Sequence, residues 1–244
     1  MLGVIGGSSL GRLQSLKVAR DVSLDTPFGR PSCPVMVGRM GRTDVAFIAR
    51  HGRETPIPPH LINYRANIWS LKSLGVDSIL AVAAVGGIDP ELVPGSLLVP
   101  DQIIDYTWGR ESTFWVLGEA SLHIDFTLPY SRSLRKSLIE TAHRLAIPVV
   151  DHGTYAVTQG PRLESAAEIR RLGIDGGAVV GMTGMPEAAL AREAGLEYAT
   201  IAVVVNHAAG VGGSADSISL EALGRISRDS SAEVEKLILG ICNS

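Results

Sequence analysis

Residues 158–210 read TQGPRLESAAEIRRLGIDGGAVVGMTGMPEAALAREAGLEYATIAVVVNHAAG, and the fold is decided there. Two short apolar runs, Gly177–Met182 and Tyr198–Asn206, are rich in β-branched residues and too short for helices, so both read as buried strands. Between them Met185–Ala194 reads as a helix, with Pro186 near its start and Gly195 just past its end. Strand, turn, helix and strand together predict a βαβ unit of a parallel sheet. Met182-Thr183-Gly184 falls where the first strand stops, and Asn206-His207 where the second stops. Ligands of open α/β sheets bind at the carboxyl ends of strands, so both groups lie at the expected edge. Glu164 follows a Gly-Pro turn and opens another helical segment. Taken singly, Thr183 reads equally as a helix cap, Asn206 as a turn residue and Glu164 as a solvated first-turn carboxylate. Together at one edge they form a candidate pocket.

Further strands are expected at Leu2–Ile5, Asp44–Ala49, Ser78–Val85, Leu97–Ile104 and Val149–Thr158. Helices are expected at Leu61–Leu74, Ser131–Ala146 and Ser219–Ile241. The glycine-rich turn Gly6-Gly7-Ser8-Ser9-Leu10-Gly11 lacks dinucleotide spacing, but its backbone N–H groups and the Ser8 hydroxyl can hold one anion. Arg50-His51-Gly52-Arg53 follows a strand directly and reads as an anion site or a solvated basic turn. Asp105–Tyr130 has no clear periodicity yet contains Trp108, Phe114, Trp115, His123, Phe126 and Tyr130. In a chain with only 5% aromatics, such a segment reads as a lid or a subunit contact.

The chain has 244 residues and a net charge of −3, so it can build one large core and carries no general attraction for nucleic acid or membranes. An anionic ligand must therefore meet a local cluster of donors. Cys33 and Cys242 make neither a disulfide framework nor a metal motif, and they read as thiols of a reducing cytoplasm. His51 and His60, nine positions apart, are separated by prolines and cannot share a helical face as zinc ligands would. There is no G-x-S-x-G elbow and no P-loop. Met1-Leu2-Gly3 leads straight into a strand-like run without a basic, apolar, cleavable leader, and no apolar run reaches the ~18 residues of a spanning helix. The expectation is a soluble, cytoplasmic α/β protein: a single domain over 1–244, a mixed β-sheet flanked by helices.

IGGSSL, DTPFGRPS, ARHGR, NYRANIW, VGGI, the Gly-Pro-Arg-Leu-Glu run, GMTGMPE and AREAGL resemble, in order and across nearly the whole chain, the trimeric nucleoside phosphorylases. More narrowly they resemble the 5′-methylthioadenosine phosphorylase branch. The resemblance implies a nucleoside phosphorylase-like fold, a homotrimer that can pair as a dimer of trimers, and phosphorolysis of a purine nucleoside. Inorganic phosphate is then a co-substrate, with no cofactor and no metal. It implies that Ser8, Arg50, His51, the backbone at Ala84 and Thr183 hold phosphate, and that Met182 packs near the ribose. Ala83 stands where the family usually has Thr, which removes one hydroxyl contact. The methylthioadenosine branch has Asp-x-Asp where this chain has Asn206-His207-Ala208. The inosine/guanosine phosphorylases instead have Asn there and Glu at the position of Glu164.

A 6-oxopurine offers an acceptor at O6 and a donor at N1–H. An Asn amide can donate to O6 and accept from N7–H, which makes Asn206 the expected catalytic residue, and an ionised Glu suits N1–H. Adenine would set an N1 lone pair against Glu164. His123 and Leu220 fall where the resemblance places the 5′ pocket, and an apolar Leu suits a thioether. The expected substrate is therefore a 6-oxopurine nucleoside with a 5′-methylthio group. The alternatives are a methylthioadenosine or a general inosine/guanosine phosphorylase.

Overall fold

A computed structural model describes residues 1–8, 10–116 and 123–244. In chain order its elements are β1 (Leu2–Gly6), β2 (Lys17–Val22), β3 (Val35–Met40), β4 (Thr43–Ala49), α1 (Tyr64–Ser73), β5 (Ser78–Gly87), β6 (Leu97–Leu98), β7 (Gln102–Asp105) and α2 (Arg132–Arg144). They continue with β8 (Thr154–Val157), α3 (Ala166–Ile174), β9 (Gly177–Gly181), α4 (Gly184–Glu193), β10 (Glu197–His207), α5 (Leu220–Asp229) and α6 (Ser231–Cys242). Ser9 of the glycine turn and residues 117–122 of the aromatic stretch lie outside the described residues.

All strands join one mixed sheet, in the order β2-β3-β4-β1-β5-β9-β8-β7, with β10 on β5 and β6 on β10. The α/β class expected from the sequence is the one observed. Strand β5 is the spine, because it is apolar on both faces and buried from Ile79 to Val85 apart from a half-exposed Ala84. One edge of β5 pairs in parallel with β10 along its whole length. Its other edge pairs with β1 only over Ser78–Ala81 and with β9 only at Gly86-Gly87. Residues 82–85 therefore have no strand on that edge. This gap in the sheet is where the candidate site opens.

Several expectations need correction. Strands β9 and β10 are not parallel neighbours: β10 runs along β5, whereas β9 meets the end of β5 antiparallel and pairs in parallel with β8. The βαβ pattern was legible, but which strand lies between its ends was not. The run 97–104 breaks around Pro100, which lacks an N–H, into β6 on β10 and β7 on β8. The strand expected over 149–158 shrinks to Thr154–Val157, since Gly153 is left-handed with φ 141°. The expected helix over 61–74 splits into a 3₁₀ turn at Pro59–Leu61 and α1, whose first turn is capped by the Asn63 side chain. The C-terminal helix is two helices meeting at Ser230, which ends α5 and begins α6. Glu164 lies just outside α3, which starts at a Ser165–Glu168 capping box. The β2–β3 hairpin was not foreseen, because β2 (KVARDV) is almost wholly exposed and shows no apolar face.

The large core gathers both sides of the sheet, and a smaller cluster of Ile88, Ala156, Ile169, Leu172, Val180 and Ala208 sits under α3. Among the described residues of 105–130 no helix or strand follows Asp105, in line with the irregular reading. Arg110 ties this stretch down. Its guanidinium donates to the carbonyls of Thr158, Gln159, Met182 and Met185. Phe114 packs on Phe28 at 5.1 Å between ring centroids.

Candidate active site

A cavity of about 410 Å³ opens at the gap beside β5, a size suited to a small organic ligand. Its walls come from the ends of β1, β4, β5, β9 and β10, the loop after β8, and α5. Ser8, Arg50, His51, Ala84, Glu164, Met182, Thr183, Asn206 and Ala208 all line it. Residues up to 200 positions apart thus converge because all of them except Glu164, which precedes α3, directly follow or lie near the end of a strand.

Arg50 leaves β4 and turns inward, with 1% of its side chain exposed. Its Nε donates to Glu187 Oε2 at 2.7 Å and its Nη2 to Glu187 Oε1 at 2.8 Å, while Nη1 donates to the Val82 carbonyl at 2.8 Å. Val82 belongs to the unpaired edge of β5, so the guanidinium supplies the hydrogen bond that a strand would have made. Glu187, fully buried in α4, also accepts from the Tyr198 hydroxyl at 2.8 Å. Burial alone would lower the Arg50 pKa. The Glu187 charge and its hydrogen bonds overcome that, and the net shift is upward. A guanidinium has five N–H groups, and these three contacts leave two for a ligand. Gly7 is required beside it: a Cβ there would lie 2.9 Å from Arg50 Nη1 and 2.6 Å from the Val82 oxygen.

His51 is half-buried, and its Nδ1 lies 2.9 Å from the Ile57 carbonyl. A carbonyl only accepts, so Nδ1 carries the proton and the neutral ring keeps a lone pair on Nε2. Burial first, and the Arg50 charge second, lower the His51 pKa below its ordinary value. Thr183 holds the N-cap position of α4, yet its hydroxyl makes no cap bond, so the capping explanation weighed from sequence does not describe it. Arg50 and Glu187 cancel in charge and His51 is neutral. A ligand at this wall would therefore meet N–H and hydroxyl groups rather than a large net charge.

On the opposite wall Asn206 Nδ2 donates to the His207 carbonyl. That contact fixes the amide orientation and leaves one N–H and Oδ1 to serve a ligand. Ala208 is buried beside Gly86, where an added Cβ would lie 3.5 Å from the Ala208 methyl. Glu164 accepts from the Thr158 hydroxyl at 2.5 Å. His207 packs away: it does not line the cavity, and its Nδ1 receives the Gly213 N–H at 3.4 Å.

Two expected residues are not brought in. Leu220 begins α5 with 71% of its surface exposed, and the apolar wall comes instead from Ile218 and, one turn further on, Leu223. His123 lies outside the cavity with its ring edge-on to Trp115, 5.8 Å between centroids. Conversely, sequence reading missed Glu187 and Tyr198. The run MTGMPE contains Glu187, but only the fold shows that it meets Arg50. Among the described residues no cluster of three or more His, Cys, Asp or Glu could hold a metal, and no helix is long and apolar enough to cross a membrane. Cys33 and Cys242 are both buried free thiols.

Known proteins resemble the chain over nearly its whole length. The Phosphorylase superfamily profile matches residues 1–241. A Xylella fastidiosa (strain 9a5c) protein named probable S-methyl-5′-thioinosine phosphorylase is 51% identical over 226 residues, spanning 92% of this chain and 95% of its own. The 6-oxopurine nucleoside phosphorylase of Pyrococcus furiosus is 45% identical over 245 positions, spanning 98% of this chain and 90% of its own. Among solved structures, methylthioadenosine phosphorylase from Schistosoma mansoni in complex with adenine superposes with a TM-score of 0.94 at 32% identity, covering 99% of this chain and 90% of that one. A family profile over nearly the whole chain, relatives at 45–51% identity and a superposition over 99% of the chain agree: the chain belongs to the Phosphorylase superfamily and is an enzyme with the nucleoside phosphorylase fold.

Proposed function

We propose that the chain cleaves S-methyl-5′-thioinosine with phosphate, releasing hypoxanthine and 5-methylthioribose 1-phosphate for purine salvage. The observation that carries this reading is the pairing of Glu164 with Asn206 in one cavity, with Ala208 rather than a carboxylate two residues on. Relatives named for thioinosine or 6-oxopurine substrates at 45–51% identity support it.

In this reading a phosphate oxygen attacks C1′ while the C1′–N9 bond breaks; the electron pair of that bond passes into the purine, which takes up at N7, through solvent, the proton that the phosphate gives up. The two remaining Arg50 N–H groups, the hydroxyls of Thr183 and Ser8 and the backbone at Ala84 hold the phosphate. The His51 Nε2 lone pair accepts a phosphate O–H. Aimed donors act without reorganisation at the moment of reaction. Asn206 Oδ1 accepts from N7–H as the base departs, its remaining N–H donates to O6, and Glu164 accepts from N1–H. Met182 packs on the ribose, and Ile218 and Leu223 offer the methylthio group an apolar wall. Inorganic phosphate is the co-substrate and no resident cofactor takes part.

A second reading, methylthioadenosine phosphorolysis, is favoured by the 0.94 TM-score to an enzyme of that name. Its weakness is chemical, because the adenine N1 lone pair would face Glu164. We further propose a cytoplasmic homotrimer, which can pair as a dimer of trimers, in which His123 and the exposed Trp108 meet a neighbouring copy. Base release from methylthioinosine, methylthioadenosine, inosine and adenosine, each with and without phosphate, tests the assignment. Release that continues without phosphate would point to a nucleosidase instead.

A further inference from the structure

Among the described residues the Glu164 carboxylate is held by one hydrogen bond, from a side-chain hydroxyl. It lines the main cavity and also a smaller one of about 270 Å³, whereas Thr158 lines only the smaller. The Thr158 hydroxyl lies 2.5 Å from Glu164 Oε1 and 3.4 Å from the Gly181 carbonyl. A hydroxyl has one proton, and the nearer, charged acceptor takes it. No other hydrogen bond reaches the Glu164 carboxylate among the described residues. Arg162, two positions away, would be its natural counter-ion. It is instead held bidentately by Glu168, Nη1 to Oε2 at 2.8 Å and Nη2 to Oε1 at 2.7 Å.

Thr158 is a rigid anchor. It follows β8 directly, its N–H donates to the Gly181 carbonyl at 2.8 Å, and its branched Cβ restricts χ1. Glu164, by contrast, has a long side chain that loses substantial rotamer freedom when fixed. From these contacts we infer that Thr158 is a specificity-determining positioning residue. By occupying Oε1 it fixes the carboxylate and leaves Oε2 as the acceptor for a donor at purine position 1. The Arg162–Glu168 pair keeps a competing cation away from that oxygen. The inference rests on the proposed 6-oxopurine reading and names the group that sets its geometry.

Thr158→Val removes the hydroxyl with almost no change of shape, and Thr158→Ser restores it. The valine variant should lower kcat/KM for methylthioinosine about tenfold, the scale of one hydrogen bond to a charged group. Its preference over methylthioadenosine should fall by a similar factor, with the phosphate KM and melting temperature unchanged. The serine variant should keep wild-type values, and Thr158→Ala serves as a second hydroxyl-free variant if the valine protein does not fold. Glu164→Gln is measured alongside. If it erodes base preference while both hydroxyl-free variants retain it, the role assigned to Thr158 is wrong and the Glu164 reading stands. If Glu164→Gln itself leaves base preference unchanged, the 6-oxopurine reading fails and the Thr158 inference falls with it.

Discussion

Replacing Arg50 by Met separates its proposed contact with phosphate from its neutralisation of Glu187. In the folded protein both members of the pair are shut away from water, at 1% and 0% exposure, and joined by two hydrogen bonds of 2.7 and 2.8 Å. Arg50→Met leaves Glu187 buried with only the Tyr198 hydroxyl as partner and strips the Val82 carbonyl of its donor. Breaking a buried pair from one side costs about 3–5 kcal/mol. At about 2–4 °C per kcal/mol for a chain of this size, the melting temperature should fall by about 6–20 °C. Adding Glu187→Gln removes the stranded charge while keeping an acceptor for Tyr198. The double variant should regain on the order of 2–3 kcal/mol of that loss, a coupling expected of groups in direct contact. Phosphate saturation should stay weak in both variants, because the two free N–H groups are gone in each. Thermal unfolding with phosphate titration of the turnover rate reads both quantities. If Arg50→Met costs under about 1 kcal/mol, or if the two changes simply add, the buried pair is not what holds this wall together.

His51 gives a pH prediction. Its folded pKa lies below the ordinary value of 6.5, so as pH falls through about 6.5 the unfolded chain takes up a proton that the folded chain refuses. Stability should therefore be full above that pH and decline below it, and His51→Gln should flatten that part of a denaturation-versus-pH curve. Asn206→Asp puts a carboxylate against O6 and should cost about 2–4 kcal/mol in the activation barrier for 6-oxopurine cleavage, as for one preorganised donor. Adding Glu164→Ser should raise adenine-nucleoside cleavage beyond the product of the single effects; strictly multiplicative rates would deny that the two residues face one base. Light scattering of the active enzyme should give a trimer, and an active monomer would remove the role given to His123.

Much of the site was legible because its residues sit next to strand ends, and strand ends are visible as apolar runs that stop. Arg50-His51, Met182-Thr183 and Asn206 were found in that way, and all line the cavity. Glu187 was not, since an acid in the first turn of a helix reads as a partner of the helix dipole. Its actual partner is 137 positions away and is set by the packing of α4 on α1 and the sheet. Strand β2 escaped because an exposed edge strand has no buried face to alternate against. The break at Pro100 and the division of the last helix at Ser230 depend on which neighbour each half packs against. Leu220 was placed by resemblance in a pocket that is lined instead by Ile218, just before α5, and by Leu223, three positions on and about 60° round the helix axis from Leu220.

In the proposed reaction Glu164 and Asn206 select the base of a phosphate-dependent cleavage. The most direct test of that selection is kcat/KM for methylthioinosine against methylthioadenosine, measured on the wild-type protein at saturating phosphate and again with phosphate omitted. The wild-type enzyme should strongly prefer the 6-oxo nucleoside, by up to ~10⁴ where a mismatched base leaves buried polar groups unpaired, and should release no base without phosphate. Equal or faster cleavage of methylthioadenosine would contradict that selection.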